Sequence, residues 1–153
     1  MIPNSVFITG GAGYVGSCLV PELLKQGYKV TVYDIMYFGD NFLPKKNANL
    51  NIIHGDIRDI KKLESSCVNH EFFLHLACIS NDASFELDEK LSTSINLDAF
   101  EPMVIAAKTS GVKRFIYAST SSVYGANNDF PQRERGHPSE CFRSPAPLRR
   151  SSD

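Results

Sequence analysis

The sequence predicts an α/β fold, a doubly wound parallel sheet, on three observations. Five short apolar runs alternate with segments of helical period along Ile2–Ser119. Glycines Gly10, Gly13 and Gly16 stand between the first run and the first helical segment. The links between runs are long enough for crossovers, and right-handed crossovers leave the strand order 3-2-1-4-5. In such sheets ligands bind beyond the carboxyl ends of the strands, here at the switch between strands 1 and 4.

Taken in order, Ile2–Thr9 is an apolar run bounded by glycine and reads as a buried central strand. Gly13–Gln26 follows with a helical period, Val15, Leu19 and Leu23 recurring at four-residue steps with Val20 and Leu24 beside them. Gly27 is its stop, and Pro21, which has no N–H for the Ser17 carbonyl, predicts a kink in mid-helix. Lys29–Asp34 is the second strand. Ile35–Asn49 carries Gly39, Pro44 and three asparagines, and reads as a loop with room for one helical turn. Leu50–His54 is the third strand. Asp59 can cap a helix to about Cys67, with Ile60 and Leu63 on its inner face. Phe72–Ala77 is the fourth strand, in which His75 reads as a satisfied core histidine. Cys78–Leu87 is a loop. Asp88–Ser110 is helical, with Ile95, Ala99, Met103, Val104 and Ala107 near one face, and Pro102 should kink or split it. Gly111 ends it, and Arg114–Ser119 is the fifth strand.

The glycine stretch, FITGGAGYVGS from Phe7 to Ser17, has the strand–turn–helix context of a dinucleotide-phosphate loop. A phosphate needs bare backbone N–H groups, and a Cβ would hold it off. Gly10 takes the tight turn, Gly13 allows close approach, and Gly16 lets the helix pack closely. The helix start adds about half a positive charge. The structural alternative is a plain strand-to-helix turn. Asp34, ending strand two, stands where a carboxylate accepts from adenosine ribose hydroxyls; its alternative is a solvated strand end. No Arg or Lys follows Asp34 until Lys45, which favours NAD over its 2′-phosphorylated form.

The 153 residues make one ordinary domain, 42% hydrophobic and 22% charged, with a formal net charge of −1. The absence of a basic stripe excludes a phosphate-backbone binder, so no nucleic-acid partner is expected. Four cysteines without paired spacing read as reduced, mostly buried thiols, and with the four histidines they suggest no metal site. No apolar run reaches signal or membrane-span length, so the expectation is a cytoplasmic protein without membrane contact. Beyond Gly125 the composition turns to proline, arginine and serine without apolar period. The reading is a domain over residues 1–126 and an irregular tail over residues 127–153.

Several motifs together give a family resemblance: TGGAGYVGS at Thr9–Ser17, Asp34, GDIRD at Gly55–Asp59, HLA at His75–Ala77, Asn96, GVKRFIYAST at Gly111–Thr120 and SSVYG at Ser121–Gly125. Over about Ile2–Gly125 the chain resembles the N-terminal half of an extended short-chain dehydrogenase/reductase. The branch is the NAD-dependent epimerase/dehydratase family acting on nucleotide sugars. The resemblance implies a Rossmann-like fold, NAD as cofactor, a nucleotide-sugar substrate and frequent homodimers. It implies that Gly10, Gly13, Tyr14 and Val15 hold the pyrophosphate, with Gly16 and Ser119 completing the cofactor set. Asp34 would bind the ribose, and Asp56 and Ile57 would flank the adenine. Leu76 and Ala77 would line the cofactor path, and Asn96 would lie on the nicotinamide side. Thr120 would be the catalytic Ser/Thr, and Ser80 and Asn81 would touch substrate. For Thr120 the alternative is a polar strand end bonding its own backbone.

Family chemistry uses a tyrosinate to take the sugar hydroxyl proton while NAD takes a hydride. A free tyrosine has a pKa of about 10, and a lysine four residues on lowers it. No tyrosine in this sequence has a lysine four residues on, and none follows Tyr124. The expectation is therefore a chain truncated relative to the family, departing from its reading near Asn128–Gln132, inactive alone, and prone to association through uncovered apolar surface. The alternatives are a non-catalytic NAD-binding or regulatory module, and part of an NAD-linked reductase.

Overall fold

The structure, a computed structural model, describes residues 2–80 and 86–119. Residues 1–118 form one compact unit. Its sheet has five parallel strands in the order β3-β2-β1-β4-β5, as predicted. The strands are β1 (Ser5–Thr9), β2 (Lys29–Asp34), β3 (Leu50–His54), β4 (Phe72–His75) and β5 (Arg114–Tyr117). β1 is buried along its whole length, as a central strand must be. β1, β4 and β5 are shorter than their apolar runs, because the residues beyond them leave the ladder to build loops.

Successive residues of β1 face opposite sides, and two cores result. Phe7, Tyr33 and Phe73 point to one face, where Leu63 and Met103 join them. Val6, Ile8, Val30 and Val32 point to the other, with Val20 and Leu24. Across the first face the rings of Phe115, Phe73, Phe7 and Tyr33 follow one another at 4.9, 5.1 and 5.6 Å. Such pairs contribute about 0.5–1.5 kcal/mol each beyond their burial.

Helix α1 (Tyr14–Lys25) covers the second face. Its buried stripe is Gly16, Val20 and Leu24, not Val15, Leu19 and Leu23, and Val15 is exposed. The reason is Gly16: a Cβ there would run into the Gly11 carbonyl, so this side of the helix is the one pressed inward. α1 continues through Pro21 to a glycine stop, where Gly27 N–H bonds Leu24 O and Tyr28 N–H bonds Leu23 O. The segment 35–49 contains turns and no helical turn.

Helix α2 (Ile60–Cys67) starts at Asp59, whose carboxylate accepts from Lys62 N–H at 3.1 Å. The predicted long helix is split into α3 (Glu89–Thr93), a π-helical turn (Ser94–Asp98) and α4 (Phe100–Thr109). Pro102 falls in the first turn of α4, where N–H groups have no intrahelical partner, so the break precedes it. Met103, Ala106 and Ala107 are its buried residues, joined by its N-cap Ala99; Ala106 takes the place foreseen for Val104. Cys67 is buried, but Cys18 and Cys78 are exposed, against the expectation of mostly buried thiols. Cys18 sits on the outer side of α1, and Cys78 lies beyond β4. Among the described residues no helix is long and apolar enough to cross a membrane.

Candidate functional site

A cleft of about 610 Å³ lies across the carboxyl ends of the strands, centred on the switch between β1 and β4. Its floor is the glycine turn. Gly10 leaves β1 with φ of +74°, and a Cβ there would meet Ala77 N at 2.5 Å. That is a conformation and a clearance only glycine meets. A Cβ on Gly13 would meet only the Gly10 carbonyl, at 3.3 Å. Gly13 is the N-cap of α1, with no side chain capping the first turn and no acidic residue in it. The helix start therefore keeps its positive end free for an anion. Tyr14 and Val15, the first two helical residues, are exposed; they and Gly16 lie outside the cleft lining.

Asp34 ends β2 on the cleft wall. One carboxylate oxygen accepts from Ala12 N–H at 3.0 Å, the other from Met36 N–H at 2.8 Å. The carboxylate thus ties the glycine turn to the loop after β2, and its remaining lone pairs can still accept from a ligand. Met36 is held at φ +56°, a left-handed conformation uncommon outside glycine and asparagine.

The next wall is Gly55–Arg58. Tyr33, fully buried, donates its hydroxyl to the Asp56 carbonyl at 2.9 Å. Its pKa is pushed up to about 12, first by burial and then by Asp59 and Asp56, so it stays a donor. Gly55 leaves room for that ring, since a Cβ there would overlap it. Asp56 accepts from the backbone N–H and the guanidinium of Arg58, at 2.9 and 3.0 Å. Those bonds hold its carboxyl below the usual carboxylate range. Ile57 lines the same wall.

Opposite, Leu76, Ala77 and Ser80 line the cleft with Cys78 and Ile79. Beneath them His75 is buried and shares a 2.7 Å hydrogen bond with Thr9 Oγ1, which satisfies the core histidine. Burial pushes its pKa down to about 4. Asn96 does not line the cleft; its carboxamide bonds the backbone of Ile79. Ser119, beyond β5, is exposed with φ of +54°. Thr120 and Asn81 lie outside the described residues. Among the described residues no three His, Cys, Asp or Glu side chains gather for a metal ion.

The geometry thus brings Gly10, Gly13, Asp34, Asp56, Ile57, Leu76, Ala77 and Ser80 to one cleft. Tyr33, Arg58 and the rim aromatics Tyr37 and Phe38 also line the cleft, beyond the residues expected from the sequence. Arg58 lies inside a motif that was noted, and Tyr33 directly precedes Asp34, but their roles depend on contacts across the fold.

The model of the NAD dependent epimerase/dehydratase family matches residues 6–146, further along the chain than Gly125. A UDP-N-acetyl-alpha-D-glucosaminuronate decarboxylase from Bacillus cytotoxicus is 37% identical over 124 residues, 77% of this chain and 37% of the relative. The solved UDP-N-acetylglucosamine 4-epimerase from Methanobrevibacter ruminantium, in complex with UDP-N-acetylmuramic acid, superposes with a TM-score of 0.77 at 31% identity. It covers 88% of this chain and 44% of its own. UDP-glucose 4-epimerase from Thermus thermophilus, in complex with NAD, gives a TM-score of 0.69 at 28% identity, covering 76% of this chain and 37% of its own. The chain thus spans about two-fifths of the length of these relatives. With the glycine turn, Asp34 and the strand order in place, the match over residues 6–146 shows that the chain belongs to the NAD dependent epimerase/dehydratase family.

Proposed function

We propose that this chain is the NAD-binding part of a nucleotide-sugar epimerase or dehydratase, and that the 153 residues alone do not turn substrate over. The observation that carries the reading is the pairing of the bare glycine turn with Asp34 on one cleft. The fit is physical. The uncapped start of α1 suits a pyrophosphate, and a Cβ on Gly10 would close the floor. Asp34, already oriented by Ala12 and Met36, accepts from ribose hydroxyls with its free lone pairs. Asp56 and Ile57 offer an acceptor and an apolar surface to a base. Bound NAD supplies the hydride acceptor. By family resemblance, Thr120 orients the sugar hydroxyl and Ser80 and Asn81 touch substrate.

Removal of the hydroxyl proton needs a base, and no tyrosine of this sequence has the lysine that would activate it. That fact supports the inactive reading, and equally a second one, a non-catalytic NAD-binding module. The second reading requires a chain that binds NAD tightly by itself. A 2′-phosphate would face the Asp34 carboxylate, and the Arg58 guanidinium on the next wall is committed to Asp56.

A thermal-shift comparison tests the proposal. Ligand at one hundred times its Kd stabilises by about 2.7 kcal/mol. That moves Tm by several degrees with NAD and leaves it in place with NADP. A cooperatively melting chain whose Tm NAD does not move contradicts the reading.

A further inference from the structure

Large apolar side chains are left in water at two separate places along the cleft. Tyr37 and Phe38, after β2, are 81% and 80% exposed; Leu87, ahead of α3, is 87% exposed. All three line the cleft, and Leu91, four residues on from Leu87, lines it too. Single exposed apolar residues are ordinary, but several around one opening form a patch that calls for a partner. The Leu87 rim is anchored. Asp88 caps α3, its carboxylate accepting from Leu91 N–H at 2.9 Å.

The aromatic rim is built differently. Tyr37 and Phe38 are the two central residues of a tight turn, closed by Gly39 N–H donating to the Met36 carbonyl at 3.0 Å. Both ends of that turn are left-handed, Met36 at φ +56° and Gly39 at φ +76°. The two rings meet edge-on at 5.3 Å, so the tip is one aromatic unit. On one side it hangs from Asp34, which accepts from Met36 N–H; on the other from Leu43, buried in the core that α1 covers. Among the described residues the side chains of the tip make no hydrogen bond. A change of backbone angles at Met36 and Gly39 is enough to swing it.

We propose that the Tyr37–Phe38 tip is a lid that closes onto Leu87 and Leu91 over a bound dinucleotide, and that this closure sets how slowly the ligand leaves. The inference rests on the NAD reading above and adds a moving part to it. Closure takes apolar surface of both rims out of water at once. Over an empty cleft of about 610 Å³ the closed tip would have no atoms to pack against beneath it, so the lid stands open until a ligand fills that space. Asp34 lies at the base of the hinge. The carboxylate that accepts from the ribose is the one that holds Met36 N–H, so the arrival of ligand is felt where the lid turns.

Stopped-flow displacement of NADH by excess NAD from the 153-residue chain reads the release rate. Phe38→Ser and Leu87→Ser each remove one lip at an exposed position, so both variants should keep the wild-type Tm without ligand. Each should speed release about tenfold and leave association within about twofold. The double variant should release within about twofold of the faster single one, because both changes break the same contact between rims. Phe38→Trp adds a tryptophan to a sequence that has none. Saturating NAD should move its emission to the blue, and Leu87→Ser in the same chain should abolish that move while NAD still binds. Effects of the two serine changes that multiply would make the residues separate contacts to the ligand and overturn the lid. NADH that binds with release unchanged in both variants, or a tryptophan emission that bound NAD leaves in place, overturns the lid alone. A folded chain that binds no dinucleotide overturns the NAD reading together with it.

Discussion

At the scale of single residues, the site is built from groups that hold each other before any ligand arrives. Asp34 is oriented by two backbone N–H groups, Asp56 by Arg58, and the Asp56 carbonyl by Tyr33. Such preorganisation lowers the ordering cost of binding. His75 is the clearest case with a pH signature. Its folded pKa is pushed down to about 4 from 6.5 by burial. Between those values the unfolded chain holds a proton on His75 that the folded chain does not. Stability is therefore complete above pH 6.5 and falls as pH drops toward 4. Urea unfolding at pH 7 and pH 5 should show the wild type losing about 2 kcal/mol more than His75→Gln. His70, also depressed by burial, is present in both proteins and cancels. Equal losses in the two proteins would contradict the assignment.

At the scale of elements, local signals and tertiary contacts divide the outcome. Strand order was legible through the handedness of the crossovers, and the Asp59 cap, the glycine stop of α1 and the split ahead of Pro102 were legible because each depends on residues close in sequence. On α1 the reading of Val20 and Leu24 on the inner face holds, but the exposure of Val15 and the burial of Gly16 were not legible, since the four-residue apolar period points to Val15. A glycine carries no hydrophobic signal, and its fit against Gly11 is a contact of the folded turn. The same holds in the site. Asp34 and the glycines were readable as a motif, whereas the Tyr33–Asp56, Arg58–Ser94 and Asn96–Ile79 bonds join segments that only the fold brings together. Pro21 gives this scale its prediction. It sits within α1, with no N–H for the Ser17 carbonyl. Pro21→Ala restores that bond and should stabilise the chain by about 1–3 kcal/mol, seen as a higher urea midpoint at unchanged m. An unchanged or lower midpoint would mean that the proline ring fits its site at no cost.

At the scale of the whole molecule, the doubly wound sheet explains why residues far apart in sequence serve one cleft. Parallel strands all end on the same edge, and the reversal of winding between β1 and β4 opens that edge. Gly10, Asp34, Gly55 and Ala77 each follow or end a different strand and converge there. The relatives are about twice as long as this chain or longer, and the proposal assigns cofactor binding to this chain and the substrate side and catalytic base to the remaining length of the family.

The most direct measurement is a fluorescence titration of NADH with the purified chain, its Asp34→Ala variant, and NADPH as competitor for the same cleft. The sequence has no tryptophan, so the emission of the cofactor is the signal. Saturable NADH binding is predicted, weakened about tenfold or more by Asp34→Ala, with NADPH bound far more weakly than NADH. A folded chain that leaves NADH emission unchanged at millimolar concentration, or binds it equally well without the Asp34 carboxylate, would contradict the account.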